Sequence, residues 1–343
     1  MRSLGSAPRL SPLVWESTGI RLLILTGVLL AVALFSLSVG AAPIPVEEVL
    51  EALTGGGDAA TRTIVLDLRL PRVVLAIVAG GGLALSGAVF QALLRNPLAE
   101  PYVLGVSGGA AVGAVAAVVA GVATFARWSV PIAAFAGAVL AIVIVFRIAL
   151  RVGRALDTRV LLLAGVVVGA FFNAVILLLL TFAEDDAFRS AIIWMMGRLD
   201  VANWTAAGLV AAYTLPSSAL LIALGRPLNL MSLGEETALY LGIRVERVKF
   251  ATYIIASLVV ASTVAVCGVI GFIGLIVPHA LRLLWGSNHR LLLPGSFLAG
   301  GAFLLIADTA ARTIASPAEV PVGVVTALIG VPLFVTLLAR SVP

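Results

Sequence analysis

The sequence predicts an all-α membrane protein whose chain crosses the bilayer ten times, with both termini in the cytoplasm. Three observations support this fold class: an apolar composition, a series of apolar runs, and an uneven distribution of basic residues. Of 343 residues, 61% are hydrophobic and 11% are charged, whereas soluble domains are about half apolar and about a quarter charged. The net charge of +5 is therefore interpreted loop by loop and does not indicate a nucleic-acid-binding surface.

Nine apolar runs define the predicted spans, because a hydrocarbon core of about 30 Å needs about 20 helical residues. They cover residues 22–39, 73–94, 103–125, 130–150, 160–182, 204–224, 251–285, 291–311 and 321–339. The run 251–285 would extend about 52 Å as a straight helix, and "GVIGFIG" (268–274) contains three glycines. A break near residue 271 gives ten spans in one transmembrane domain, residues 1–343. The polar segment 1–21 lacks the apolar core of a signal peptide and is predicted to be cytoplasmic.

Basic residues orient these spans. With the N-terminus in the cytoplasm, 15 of the 22 basic residues face the cytoplasm and seven face outward, as the positive-inside rule requires. The outer seven are Arg62, Arg69, Arg72, Arg127, Arg189, Arg198 and Arg312. Residues 226–250 then form a cytoplasmic segment between spans six and seven. The segment 187–200 has too few consecutive apolar residues to cross the membrane, and we expect it to form an interfacial helix.

The polar turn between spans two and three is unusual. It reads "QALLRNPLAEPYVLGVSGGA" (91–110), and Pro97 and Pro101 prevent a continuous helix through it. Irregular backbone at membrane depth persists only where it is buried in protein or lines water. The segment is therefore either a tight loop or a broken helix that lines a pore near its cytoplasmic mouth.

Three stretches together resemble one family. They are "RLPRVVLAIVAGGGLALSGAVFQALLRNPLAEPYVLGVSGGA", "GVIGFIGLIVPHALRLLWGSNHRLLLPGSFLAGGAFLLIADTAARTI" and "EVPVGVVTALIGVPLFVTLL". Their order resembles the permease subunits of iron-siderophore, haem and vitamin B12 ABC importers, the FecCD-like transport family, over about residues 20–340. The resemblance implies a type II ABC importer permease fold and import of a ferric siderophore, haem or cobalamin across a bacterial inner membrane. It also implies a homodimer or a dimer with a close paralogue, two ATPase subunits and a periplasmic substrate-binding protein.

The chain carries no ATPase motif of its own. A phosphate-binding loop needs G-x-x-x-x-G-K-[ST], but the only lysine, Lys249, follows Val248. We therefore expect no enzyme activity and no cofactor in this chain, with ATP and Mg²⁺ bound by a partner subunit. "RPLNLMSLGEETALYLGIRVERVKF" (226–250) is either a solvated loop or, as the resemblance implies, the ATPase-coupling segment, with a short helix bracketed by Gly234 and Gly242. Its predicted contact residues are Glu235, Glu236, Leu241, Gly242 and Arg244.

Two functions from other classes compete with an ABC permease. An ion-coupled secondary transporter would need an acidic residue in the middle of the membrane, and Asp308 is the main candidate. Arg312 lies one helical turn later, so a surface-near ion pair is the simpler interpretation. A membrane anchor or sensor would need a soluble signalling domain, which this sequence lacks. His279 and His289 have no neighbouring ligands at metal-site spacing, so we expect no metal site.

Three further groups of residues complete the predicted sites. Asn96, Pro97 and Leu98, with Asp157 and Thr158, are expected to form the cytoplasmic gate. Gly165, Gly169 and Asn173 are expected to line the pathway, although small residues also serve ordinary helix packing. The resemblance implies that Arg69, Arg72 and Arg312 receive acidic residues of the binding protein; snorkelling or local pairing with Asp67 and Asp308 is the alternative.

Overall fold

The computed structural model describes residues 12–40, 42–122, 128–152 and 156–341. Within these ranges the chain is helical, with no β-strand. Residues 1–11 of the predicted cytoplasmic segment and the end of predicted span three, 123–125, lie outside the described residues. The first helix begins at Pro12, ten residues before the predicted start of span one.

Fifteen α-helices are found in the described part of the chain. They are α1 (Pro12–Ser38), α2 (Val46–Leu53), α3 (Ala59–Arg62), α4 (Leu70–Leu94), α5 (Val106–Val119), α6 (Ser129–Val152), α7 (Thr158–Thr181), α8 (Asp185–Met195), α9 (Trp204–Ala223), α10 (Gly225–Ser232), α11 (Glu235–Tyr240), α12 (Val245–Cys267), α13 (Ile273–Trp285), α14 (His289–Thr313) and α15 (Val322–Ser341). A π-helical turn, Thr63–Arg69, joins α3 to α4, and a 3₁₀ turn, Pro101–Leu104, precedes α5. The predicted interfacial segment corresponds to α8.

Seven segments of the described chain are long and apolar enough to cross a membrane: Thr18–Ser38, Ala59–Leu94, Ser129–Val152, Thr158–Thr181, Trp204–Ala223, Val245–Cys267 and His289–Thr313. Three shorter apolar helices, Val106–Val119, Ile273–Trp285 and Val322–Leu337, coincide with predicted spans three, eight and ten. The chain is therefore an all-helical membrane protein, while the count of ten crossings and the side of the termini stay predictions.

Helix α4 is the centre of the fold. It is buried on all sides and packs against α9, α12, α13 and α14. Close backbone approach requires glycine here, because a Cβ at Gly80 would collide with the carbonyl oxygen of Gly300, and one at Gly87 with that of Gly274. Peripheral helices instead expose apolar side chains, as Leu23, Phe171 and Leu328 do, which suits contact with lipid or a second subunit.

The long apolar run 251–285 breaks as expected. Helix α12 ends at Cys267 and α13 begins at Ile273, with positive φ angles at Gly268 (69°) and Phe272 (69°). Helices α5 and α13 have 14 and 13 residues, about 21 and 20 Å at 1.5 Å per residue. Both are about two-thirds of a hydrocarbon core of about 30 Å, so each is a shortened helix that follows an irregular segment.

The irregular segments before α5 and α13 bind each other. The Phe272 N–H donates to a carboxylate oxygen of Glu100 at 2.6 Å. The Ile270 N–H donates to the Tyr102 hydroxyl at 2.9 Å, and that hydroxyl donates to the Ile270 carbonyl. Polar backbone freed by the broken helices is thus satisfied inside the protein, which favours the broken-helix interpretation of 91–110 over a simple tight loop.

Candidate functional site

The segment predicted to be cytoplasmic and to couple to an ATPase, residues 226–250, folds as a compact unit. Helix α11 lies between Gly234 (φ 131°) and Gly242 (φ 81°), as the sequence predicted, and both glycines have positive φ angles that other residues rarely adopt. The unit has a small core of its own, separate from the main core, formed by Met231, Ala238 and Val245. Ala238 of α11 belongs to this core, so the short helix is packed as part of the unit.

The tip of this unit is apolar and exposed. Leu239, Tyr240 and Leu241 are 58%, 92% and 57% exposed. Contiguous apolar surface of this kind marks an interaction site. Of the five predicted coupling residues, Glu236, Leu241, Gly242 and Arg244 are exposed. Glu235 differs, because its carboxylate turns back to the Lys249 ammonium group at 2.6 Å.

The predicted gate residues lie in two capped turns. The side chain of Asn96 accepts a hydrogen bond from the Leu98 N–H at 2.9 Å, and Pro97 and Leu98 are exposed. Asp157 is the N-cap of α7 and accepts from the Arg159 N–H at 2.8 Å, with Thr158 as the first helical residue. These side chains fix their own turns, and whether the turns narrow a pathway between two subunits stays a prediction.

A cavity of about 470 Å³ joins the second gate turn to the coupling segment. Its lining consists of Leu94, Arg95, Leu156, Asp157, Thr158, Arg159, Glu235, Glu246 and Lys249. Asn96, Pro97 and Leu98 follow Arg95 directly but do not line it. Lys249 and Glu246 were not predicted as site residues; the available signal was that a chain with one lysine places it three residues after a glutamate.

The predicted pathway residues on α7 separate into two kinds. Gly165 is buried and Gly169 is partly buried. A Cβ at Gly105 would lie 3.4 Å from the Gly165 carbonyl oxygen and 3.6 Å from the Gly169 nitrogen. This is small-residue packing within one chain, the alternative that the sequence left open. Asn173 is exposed on the same helix, so the pathway prediction depends mainly on Asn173.

On the opposite side of the fold, two of the three predicted docking arginines converge on Asp308. The Arg72 guanidinium donates to Asp308 from Nε at 3.0 Å and from Nη2 at 2.8 Å. Arg312 donates to the same carboxylate from Nε at 3.1 Å. The predicted i, i+4 pair of Asp308 with Arg312 is present. It is buried and not surface-near, since Asp308 is 0% exposed beneath α4. Of the two acidic residues that the sequence offered as local partners, Asp308 therefore pairs with the arginines, whereas the side chain of Asp67 is exposed.

The remaining groups around this cluster have different accessibility. Arg69 is 8% exposed and donates to the backbone carbonyls of Leu37 and Ala42, so its guanidinium ties the end of α1 to α4. Glu319 is 44% exposed and accepts from the Nη1 and Nη2 atoms of Arg72 at 3.1 and 2.9 Å. Among the three arginines, Arg72 is thus the one whose ion pair reaches solvent.

A cavity of about 190 Å³ opens beside Arg72 and Glu319 and is also lined by Arg198 and Asp200. The Arg198 Nε donates to Asp200 at 2.6 Å. Burial raises the pKa of Asp200, but the hydrogen bond and charge of Arg198 outweigh it and hold this pKa below its usual value. Asp200 therefore stays ionised, and this surface carries charges of both signs.

The chain is similar to known permeases over most of its length. The model of the FecCD transport family matches residues 28–340. The cobalamin import system permease protein of Halobacterium salinarum is 46% identical, with 81% of this chain and 73% of that protein covered. The hemin transport system permease protein of Yersinia pestis is 42% identical, with 80% and 83% covered.

A solved structure described as an inward-facing conformation of a metal-chelate type ABC transporter has the same fold. It superposes with a TM-score of 0.85 at 32% identity and covers 93% of this chain and 98% of its own. The relatives are transport subunits and not enzymes. With matching architecture and a family match across nearly the whole chain, this protein is an ABC transporter permease subunit that belongs to the FecCD transport family.

Proposed function

We propose that this chain is the transmembrane subunit of an ATP-driven importer that moves a metal chelate from the periplasm to the cytoplasm. Ferric siderophores, haem and cobalamin are the proposed substrate classes. Relatives named for cobalamin and hemin transport support this range. The proposal includes a second permease copy, identical or a close paralogue, two ATPase subunits that bind ATP and Mg²⁺, and a bacterial inner membrane as the location.

The exposed tip of α11 carries the ATP-driven part of the proposal. A permease without a phosphate-binding loop needs a surface for a motor, and Leu239, Tyr240 and Leu241 supply an apolar one on a unit with its own core. Glu236 and Arg244 add charges at its edge. Apolar anchors surrounded by polar groups are typical of protein interfaces.

Association with the ATPase subunit tests this assignment. The Leu241→Asp variant should lose co-purification with the co-expressed ATPase, since a carboxylate would be buried in an apolar contact. Leu53→Asp is the matched control, because Leu53 is also exposed but lies in α2, on the predicted outer side. Retention of the ATPase by Leu241→Asp would remove α11 from the interface.

The proposed gate is formed by Asn96, Pro97, Leu98, Asp157 and Thr158 across the dimer axis, with Asn173 higher in the pathway. Their position next to the coupling-segment cavity supports this role. Single cysteines at 96 or 158, in a Cys267→Ala background that removes the native thiol, should cross-link two permease copies and block uptake. Equal labelling in every nucleotide state, with unchanged uptake, would place the gate elsewhere.

We also propose that Arg69, Arg72 and Arg312 mark the docking surface for the periplasmic binding protein, with Arg72 as the contact residue. Glu319 occupies the Nη1 and Nη2 edge of Arg72 from a half-exposed position. A carboxylate of the partner could take the same edge, because a guanidinium binds carboxylates through paired donors. Arg69 and Arg312 would support Arg72 from inside the fold.

A further inference from the structure

Lys249, the only lysine of the chain, is buried in a place where three segments meet. It lies in the second turn of α12 and is 3% exposed. Lysine is almost never fully buried unless it is paired. Its ammonium group has three donors, and they reach Glu235 at 2.6 Å, Glu246 at 3.2 Å and the Leu156 carbonyl oxygen at 3.1 Å.

Two of these contacts hold the turn before α7. The Leu156 N–H donates to Glu246 at 3.0 Å while its carbonyl accepts from Lys249, so both backbone groups of this buried residue are bound to α12. Leu156 immediately precedes Asp157, the N-cap of α7. The start of α7, which carries the proposed gate residues Asp157 and Thr158, is therefore fixed to the first turns of α12.

The third contact reaches the coupling segment and, through it, the other gate turn. Glu235 is the first residue of α11, and its second carboxylate oxygen lies 3.7 Å from Arg95 Nη2. Arg95 also donates to the Met231 carbonyl at 3.1 Å. Arg95 ends α4 in a left-handed conformation, φ 49°, and directly precedes Asn96. One glutamate on α11 thus contacts Arg95 of the first gate turn and Lys249, which in turn binds Leu156 of the second gate turn.

The two ion pairs of Lys249 differ: the pair with Glu246 is held in place, whereas the pair with Glu235 can open. Removing every acidic partner from a buried ammonium is costly, but Lys249 has two glutamates, so Glu246 keeps it neutralised if Glu235 leaves. Glu235 alone sits on the helix flanked by two positive-φ glycines, Gly234 and Gly242. A rotation of α11 can therefore pull on, or release, the Glu235–Lys249 pair while the Glu246–Leu156 clamp stays intact.

We propose that Lys249 is a positioning residue that transmits movement of α11 to the gate turns at 95–98 and 156–158 through its ion pair with Glu235. The inference rests on the proposed ATP-driven function. In this proposal, the Glu235–Lys249 pair converts a displacement of α11 into a displacement of the start of α7. Lys249 itself touches neither the ATPase surface nor the transported chelate.

The test measures transport per ATP hydrolysed in vesicles that hold the permease with its ATPase and binding protein. The substrate is haemin or cyanocobalamin, whichever the unmodified transporter accumulates. Lys249→Met should retain ATPase association and basal hydrolysis. In both Lys249→Met and Glu235→Gln, transport per ATP should fall by about tenfold, within the range of coupling between linked sites. Lys249→Arg, which retains the charge, should recover part of the loss.

Arg247→Met is the matched control, because Arg247 is an exposed cation two residues from Lys249, and it should couple normally. If Lys249→Met does not assemble, Glu235→Gln carries the test, since Glu246 still neutralises Lys249 there. Normal transport per ATP in Glu235→Gln would overturn the inference. Absence of ATP-driven transport in the unmodified protein would instead overturn the proposed function, so the two failures are distinguishable.

A second readout separates transmission from simple stability. Spin labels at Thr237→Cys, an exposed position on α11 outside the proposed apolar contact, and at Thr158→Cys on α7, in the Cys267→Ala background, should both change distance to a fixed label when ATP binds. In Lys249→Met the α11 label should still move while the α7 label should stay in place. Movement of both labels in the variant would show that the gate follows α11 by another route.

Discussion

Replacing Asp308 by asparagine should strongly destabilise the end of the fold where Arg72 and Arg312 lie. The fully buried carboxylate binds two guanidinium groups, from Arg72 and from Arg312. Asparagine offers one acceptor oxygen and turns an amide donor towards the second arginine. Breaking a buried ion pair from one side costs about 3–5 kcal/mol. Glu319 still pairs with Arg72, so we expect the lower end of this range, about 3 kcal/mol.

The buried thiol of Cys267 provides the assay. Cys267 is the only cysteine and is 0% exposed, so a maleimide dye should react with it only when the structure opens. A loss of about 3 kcal/mol raises the opened population about 150-fold, which should appear as faster labelling and a lower unfolding temperature. Asp67→Asn is the matched control, because Asp67 is an exposed aspartate five residues before Arg72 in the sequence. Labelling of Asp308→Asn at the rate of the Asp67→Asn control would refute the reasoning.

Three further predictions follow from individual contacts. Gly242→Pro should uncouple ATP hydrolysis from transport, because proline cannot adopt the φ of 81° found there; transport per ATP equal to that of the unmodified protein would contradict the assignment of Gly242 to the coupling segment. Glu319→Gln should tighten binding of the periplasmic protein by releasing an edge of Arg72, and added salt should weaken wild-type binding; a binding assay in which neither change occurs would argue against docking at this site. Glu100→Ala should cost about 1–3 kcal/mol by leaving the partly buried Phe272 N–H without its acceptor, whereas Glu100→Gln, which retains an acceptor, should cost less; equal Cys267 labelling of both variants would show that this hydrogen bond contributes little.

The sequence predicted the features of the fold that depend on length and periodicity. The apolar runs placed the major helices, and the excess length of 251–285 predicted the break that lies between Cys267 and Ile273. The positions of Gly234 and Gly242 likewise predicted the short helix that lies between them. Each of these inferences needed only neighbouring residues, because helix length, helix breaks and turns are set locally.

Long-range contacts were not predictable in the same way. Glu100 binds Phe272, 172 residues later in the chain, and no local pattern relates the two. In the sequence, Lys249 was considered only as the one lysine that a phosphate-binding loop could have used. Its contacts to Glu235 and Leu156 nevertheless join two predicted sites. The family resemblance grouped Arg69 with Arg72, but the structure buries Arg69 against backbone carbonyls and leaves Arg72 beside Glu319.

The most direct test of the account is chelate uptake into vesicles that contain this permease, its ATPase and its binding protein. Haemin, cyanocobalamin and a ferric hydroxamate siderophore are offered in turn, with ATP supplied on the ATPase side and no ion gradient. We predict that one of these chelates accumulates on the ATPase side, and that accumulation stops when ATP is replaced by a non-hydrolysable analogue. Accumulation that needs an imposed proton or sodium gradient and persists without the ATPase would contradict an ATP-driven importer and would favour an ion-coupled transporter.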